Sequence, residues 1–170
     1  MTLSTWLLAG CSLSKVSLDE MEAAKDVALS SAFEAQKGKM KPVKGRIESY
    51  TGCRNESESI IDTSCCFDRD RQTYIDDSTI TAKAVADGKV VKVRTSEQTN
   101  ICGIAIISHG VYTTVYTNLE KIFVKEGDEI SSGQSIGEAG ENYQGTRKVL
   151  SFDMYSKSGA MSPKDWLHLN

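Results

Sequence analysis

Three things are missing from this sequence, and each removes a class of function. There is no basic excess: 20 Lys and Arg stand against 23 Asp and Glu, a net charge of −3, so no positive field is present to gather nucleic acid. No apolar run approaches the ~20 residues that a membrane-spanning helix needs. No C-x-x-C occurs among the five cysteines, and the adjacent Cys65-Cys66 is a poor chelate, which favours disulfides or free thiols over a zinc site. What remains is 170 residues with 39% hydrophobic and 25% charged side chains, the composition of a soluble globular chain with a real core: one domain plus an appendage.

The appendage is N-terminal. Residues 1–11 end in Leu8-Ala9-Gly10-Cys11, which looks like the lipobox of a bacterial lipoprotein, with Cys11 as the lipidated residue. The stretch is shorter than the roughly 15–30 residues of a signal segment, and no Lys or Arg precedes Lys15. The expectation is a signal remnant that places the protein on the periplasmic side of a bacterial cell envelope, touching the membrane only through a lipid on Cys11. With Cys11 set aside, Cys53, Cys65, Cys66 and Cys102 are an even number and allow two disulfides, in any of three pairings.

Residues 12–38 read as a tether and one helix. Ser17-Leu-Asp-Glu20 is a capping box, and Ala, Met, Glu, Lys and Leu carry a helix from about Leu18 to Gln36, ended by Lys37-Gly38. Met21, Ala24, Ala28, Leu29, Ala32 and Phe33 fall near one face, so this helix is expected to rest on the domain that follows, residues 39–170. That domain is β-rich. Arg46–Tyr50 and Thr73–Ile75 read as strands around a long charged loop. Asp87-Gly88 reads as a two-residue hairpin between Thr79–Ala86 and Lys89–Thr95. Ile101–Ser108 and Val111–Asn118, dense in β-branched residues, form a second hairpin about His109-Gly110. Gly127, Gly133 and Gly137 punctuate short strands as turn residues. Lys148–Met154 is a further strand, and Ser162–Leu167 a short helical turn opened by Pro163, with Trp166 and Leu167 packing on the body. Strands so short and closely spaced make an all-β barrel or sandwich.

Several blocks carry a resemblance: Ala84-Val-Ala-Asp-Gly-Lys-Val90, Gly103–Gly110, Thr114–Leu119, Val124–Asp128, Gly133–Gly137, Val149–Met154 and Pro163–Leu167. In this order they resemble the lysostaphin/LytM-type zinc peptidase domain over roughly residues 42–167. The resemblance implies a duplicated-hybrid-motif barrel with an open groove. In active members it implies a zinc ion held by an early His and Asp and by the second His of a His-x-His strand. The first His of that strand and a His in Tyr-x-His-Leu assist the attacking water. This chain departs at each place. The Tyr-x-His-Leu block is Tyr116-Thr117-Asn118-Leu119, the His-x-His block is Val149-Leu150-Ser151, and no His lies between Asp62 and Asp77. Counting back from Asp87-Gly88 puts Thr73 at the Asp position, with Asp76 or Asp70 as alternatives. The only histidines, His109 and His168, lie elsewhere.

The resemblance therefore implies a domain without cofactor or catalysis. It resembles the murein hydrolase activators of the EnvC and NlpD group, which bind and activate a cell-wall amidase. The groove would be lined by Thr73, Tyr116, Asn118, Val149 and Ser151, with Val149 and Ser151 on one strand face. A passive peptidoglycan-binding or envelope-assembly module using the same groove is the alternative. Two further readings are weaker: a biotinyl- or lipoyl-type carrier lacks its Lys at the His109-Gly110-Val111 tip, and a metal set of Cys65, Cys66, Asp68 and Asp70 lacks an evident acid/base.

Overall fold

A computed structural model describes residues 17–51, 71–95, 103–142 and 145–168. Ser17 opens the helix α1 (Leu18–Glu34) as the capping box requires: the Glu20 amide donates to Ser17 Oγ at 3.2 Å, and the Ser17 amide donates to the Glu20 carboxylate at 2.8 Å. The helix closes two residues before the expected Gln36. Of the six residues expected to form its apolar face, Phe33 alone is buried. Small alanines supply little apolar area, so one aromatic ring does most of the docking.

The strands are β1 (Glu48–Thr51), β2 (Gln72–Asp76), β3 (Thr81–Lys83), β4 (Gly88–Arg94), β5 (Gly103–His109), β6 (Tyr112–Ile122), β7 (Glu129–Ile130), β8 (Ser135–Ala139), β9 (Lys148–Ser156) and β10 (Gly159–Met161). They form one antiparallel sheet in the order β1-β2-β9-β6-β5-β4-β7, with β10 on β9, β8 on β6 and β3 on β8. The all-β expectation with one N-terminal helix therefore holds. The hairpin about His109-Gly110 is present, its turn one residue later, since His109 pairs with Tyr112.

Two expectations are corrected. Asp87-Gly88 does not join a hairpin: β3 pairs with β8, and β4 pairs with β5 and β7. Ala84, Val85 and Ala86 are all buried, so this stretch runs through the core on its way to β4. Gly88 is needed for close approach, because a Cβ there would lie 2.6 Å from the Ser108 carbonyl oxygen and 2.7 Å from His109 Nδ1. Gly137 is likewise no turn residue; it sits within β8, where a Cβ would lie 2.2 Å from the Lys121 carbonyl oxygen.

Alternation divides the sheet into two faces. Leu150, Phe152 and Met154 of β9, Thr114 and Tyr116 of β6, and Ala105, Ile107 and His109 of β5 point to the core and are buried. Phe33 joins this side, its ring 4.6 Å from Tyr112, 4.9 Å from His109 and 5.2 Å from Trp166. Ser30 Oγ accepts from the Val111 amide at 2.9 Å, and Tyr112 donates to Glu34 at 2.6 Å. Trp166 and Leu167 are buried as expected, next to a 3-10 turn at Pro163–Asp165. The helix thus docks behind the sheet, on the side away from Thr73, Val149 and Ser151. No described helix is long and apolar enough to cross a membrane.

Candidate functional site

The residues that stand where the resemblance places zinc ligands do meet in space. Thr73 of β2 pairs directly with Ser151 of β9, and Ser151 pairs on its other side with Thr117 of β6. Antiparallel register thus makes a row of three hydroxyl residues across three strands, each roughly 5 Å from the next. Thr73 is 2% and Ser151 5% exposed, so this point of the face is closed. Val149 stands two residues before Ser151 on the same face and is half-buried. Asp76 belongs to the opposite parity of β2, and its carboxylate accepts from Ser78 Oγ at 2.6 Å. Asp70 lies outside the described residues, as do Cys11, Cys53, Cys65, Cys66 and Cys102.

Asn118 occupies a β-bulge: Thr117 faces Ile104 while Leu119 faces Gly103, and Asn118 is the extra residue. It adopts φ 69°, a left-handed conformation that Asn tolerates better than most residues. Its Nδ2 is directed at the carbonyl oxygens of Val149 at 2.7 Å and of Gly140 and Glu141 at 3.2 Å. The side chain staples the end of β6 to β9 and to the segment after β8. Tyr116 is corrected from groove wall to core residue. It is fully buried beside Phe152, donates to the Lys83 carbonyl at 2.8 Å, and has no surface to offer a partner; burial pushes its phenol well above the usual range.

A pair absent from the sequence reading lies one step along the same face. Arg71 and Asp153 form a bidentate ion pair, Nε to Oδ1 at 2.8 Å and Nη2 to Oδ2 at 2.7 Å, with the Asp153 side chain almost fully buried and the Arg71 side chain 22% exposed. A carboxylate two residues after Ser151 shares its strand face, and an acid so placed in a sheet demands a cation; that was the available signal. Around the far rim, Lys148 holds Glu120 at 2.8 Å, Lys121 holds Glu138 at 2.7 Å and Arg147 holds Asp77 at 2.8 Å.

These donors do not fit a zinc ion. Two hydroxyls, Thr73 and Ser151, stand where the resemblance places a carboxylate and an imidazole on zinc, and a valine and an amide committed to carbonyls stand where it places the imidazoles that assist water. Among the described residues no buried polar side-chain atom lacks a partner, and no group of three His, Cys, Asp or Glu is placed to hold a metal. His109 lies on the core face, its Nδ1 donating to the Asp87 carbonyl at 2.8 Å and its Nε2 accepting from Thr114 at 2.9 Å; burial holds its pKa down at about 4.

The sequence profile of peptidase family M23 matches residues 75–163, just over half of the chain. No curated protein matches significantly. Among solved structures, a zinc-containing peptidase from Vibrio cholerae is 28% identical, with a TM-score of 0.46, over 53% of this chain and 28% of its own. Helicobacter pylori Csd3 is 20% identical (TM-score 0.55) over 77% of this chain and 35% of its own. A SpoIIIAH–SpoIIQ complex contributes a chain 18% identical (TM-score 0.55) over 73% of this chain and 96% of its own. The chain spans about a quarter of the Vibrio peptidase and about a third of Csd3.

Proposed function

The chain belongs to peptidase family M23, and from that premise we propose that it is a non-catalytic member that binds and activates a peptidoglycan hydrolase, such as a cell-wall amidase, in the bacterial envelope. One observation carries the reading. The sheet that presents a zinc site in this family is intact through β2, β9 and β6, while Thr73 and Ser151 face each other, buried, where two ligands would meet. Among the described residues no imidazole stands on this face to hold zinc or assist water, whereas the strand pairing of the sheet is kept. That a neighbour of this fold was crystallised in a SpoIIIAH–SpoIIQ complex fits a domain working by protein contact. Attachment through a lipid on Cys11, facing the periplasm, belongs to the same reading.

The test is direct. Purified protein added to amidases of the same envelope should raise the rate of dye release from labelled sacculi, and protein alone should release nothing. Muropeptide release by the protein alone would overturn the non-catalytic reading. Binding to sacculi with no change in any hydrolase rate would favour the passive wall-binding module.

A further inference from the structure

We propose that the partner is seated on a strip beside the former ligand positions, formed by Ile104 and Ile106 of β5 with Val115 and Thr117 of β6. We propose further that the docking segment offers apolar side chains to this strip and a carboxylate to Arg94 of β4. The inference rests on the activator reading and deepens it.

Register builds the strip. Ile104 pairs with Thr117 and Ile106 with Val115, and all four point away from the core. All four are half-buried, and none of the three aliphatic ones is among the hydrophobics packed against the core. The positions the family comparison would favour are less able to serve: Thr73, Ser151 and Tyr116 are buried, and Asn118 is held by three carbonyls. The accessible part of the face is therefore displaced toward β5, and it is aliphatic, a surface suited to apolar side chains.

Charge then selects the segment. Across β4, Arg94 stands opposite Ile104 and Lys92 opposite Ile106. Lys92 is paired with Glu126 at 3.2 Å, and the exposed Arg94 acts on the same carboxylate from farther off, so two cations share one Glu126. On the other flank Arg71 is locked to Asp153, and the far rim is paired off by Lys121–Glu138, Lys148–Glu120 and Arg147–Asp77. Among the described residues the net charge bordering the strip is thus positive and lies on β4. A carboxylate there steers encounter and fixes orientation.

Full-length protein is titrated against each purified amidase of the same envelope, with sacculi as a parallel probe. Ile106→Lys and Arg94→Glu should each bind an amidase at least about ten-fold more weakly while keeping the wild-type melting temperature. Lys164→Glu, on the 3-10 turn, should bind as the wild type does. Added salt should weaken wild-type binding more than Arg94→Glu binding. If the wild type binds an amidase and both strip variants bind equally well, the strip is wrong and the activator reading stands. If the wild type binds only sacculi, and the strip variants lose that, the surface serves the wall and both inferences fall. If it binds neither, both fall as well.

Discussion

The two faces of β9 have been held to different standards. Leu150, Phe152 and Met154 point inward and are buried, a row of apolar side chains that closes the core. Val149, Ser151 and Asp153 point outward, the first two at the positions where the resemblance places imidazoles, and carry a hydrocarbon, a hydroxyl and an ion-paired carboxylate. Because successive side chains in a strand alternate sides, chemistry can be removed from one face without disturbing packing on the other.

Four experiments press on that contrast. The largest effect belongs to the core face: Phe152→Ala should cost about 3–5 kcal/mol, read by urea denaturation, since it leaves a cavity beside Tyr116. On the outer face only the ion pair should approach this. Arg71→Met strands the buried Asp153 carboxylate and should cost about 2–3 kcal/mol, less than a fully buried pair because the guanidinium is partly exposed, with Arg71→Met/Asp153→Leu recovering most of it. A cost below about 0.5 kcal/mol would place the pair with ordinary surface salt bridges.

Acid sharpens the comparison on the core side. Burial holds the His109 imidazole down at about 4, below the ordinary histidine value of 6.5, so the unfolded chain takes up the proton first. Stability is fully present above pH 6.5 and falls as pH drops from there toward 4, by roughly 2 kcal/mol between pH 7.5 and 5. The carboxylates whose pKa is held low, Glu20, Asp76, Glu120 and Glu126, add their own loss only at lower pH. Denaturation midpoints of wild type and His109→Gln across that interval should diverge; parallel curves would exclude His109 as the source. The smallest effect is expected at the bulge, where Asn118→Ala should cost about 1 kcal/mol by removing the amide staple at a left-handed φ. Asn118→Gly, which relieves the backbone, should cost less.

Much of this was legible beforehand, and the misses have local causes. The capping box, the second hairpin and β9 could be read because each depends on neighbours in sequence. The Asp87-Gly88 hairpin failed because a dipeptide that permits a turn says nothing about which strand lies next to β3. Tyr116 was taken for groove wall because family position does not reveal which side of β6 it occupies. Parity with Thr114 and Tyr112 does, and it points to the core.

Composition and block order alone were enough for the class of fold, and the residue identities alone for the missing imidazoles, since a side chain that is not encoded cannot be supplied by folding. Which hydroxyls meet, that Arg71 finds Asp153, and that α1 lies behind the sheet were decided only by the tertiary structure. These depend on partners far apart in the chain, 82 positions for Arg71 and Asp153 and more for Phe33 and Trp166, and pairing at that distance is chosen by burial of the whole core rather than by any local pattern.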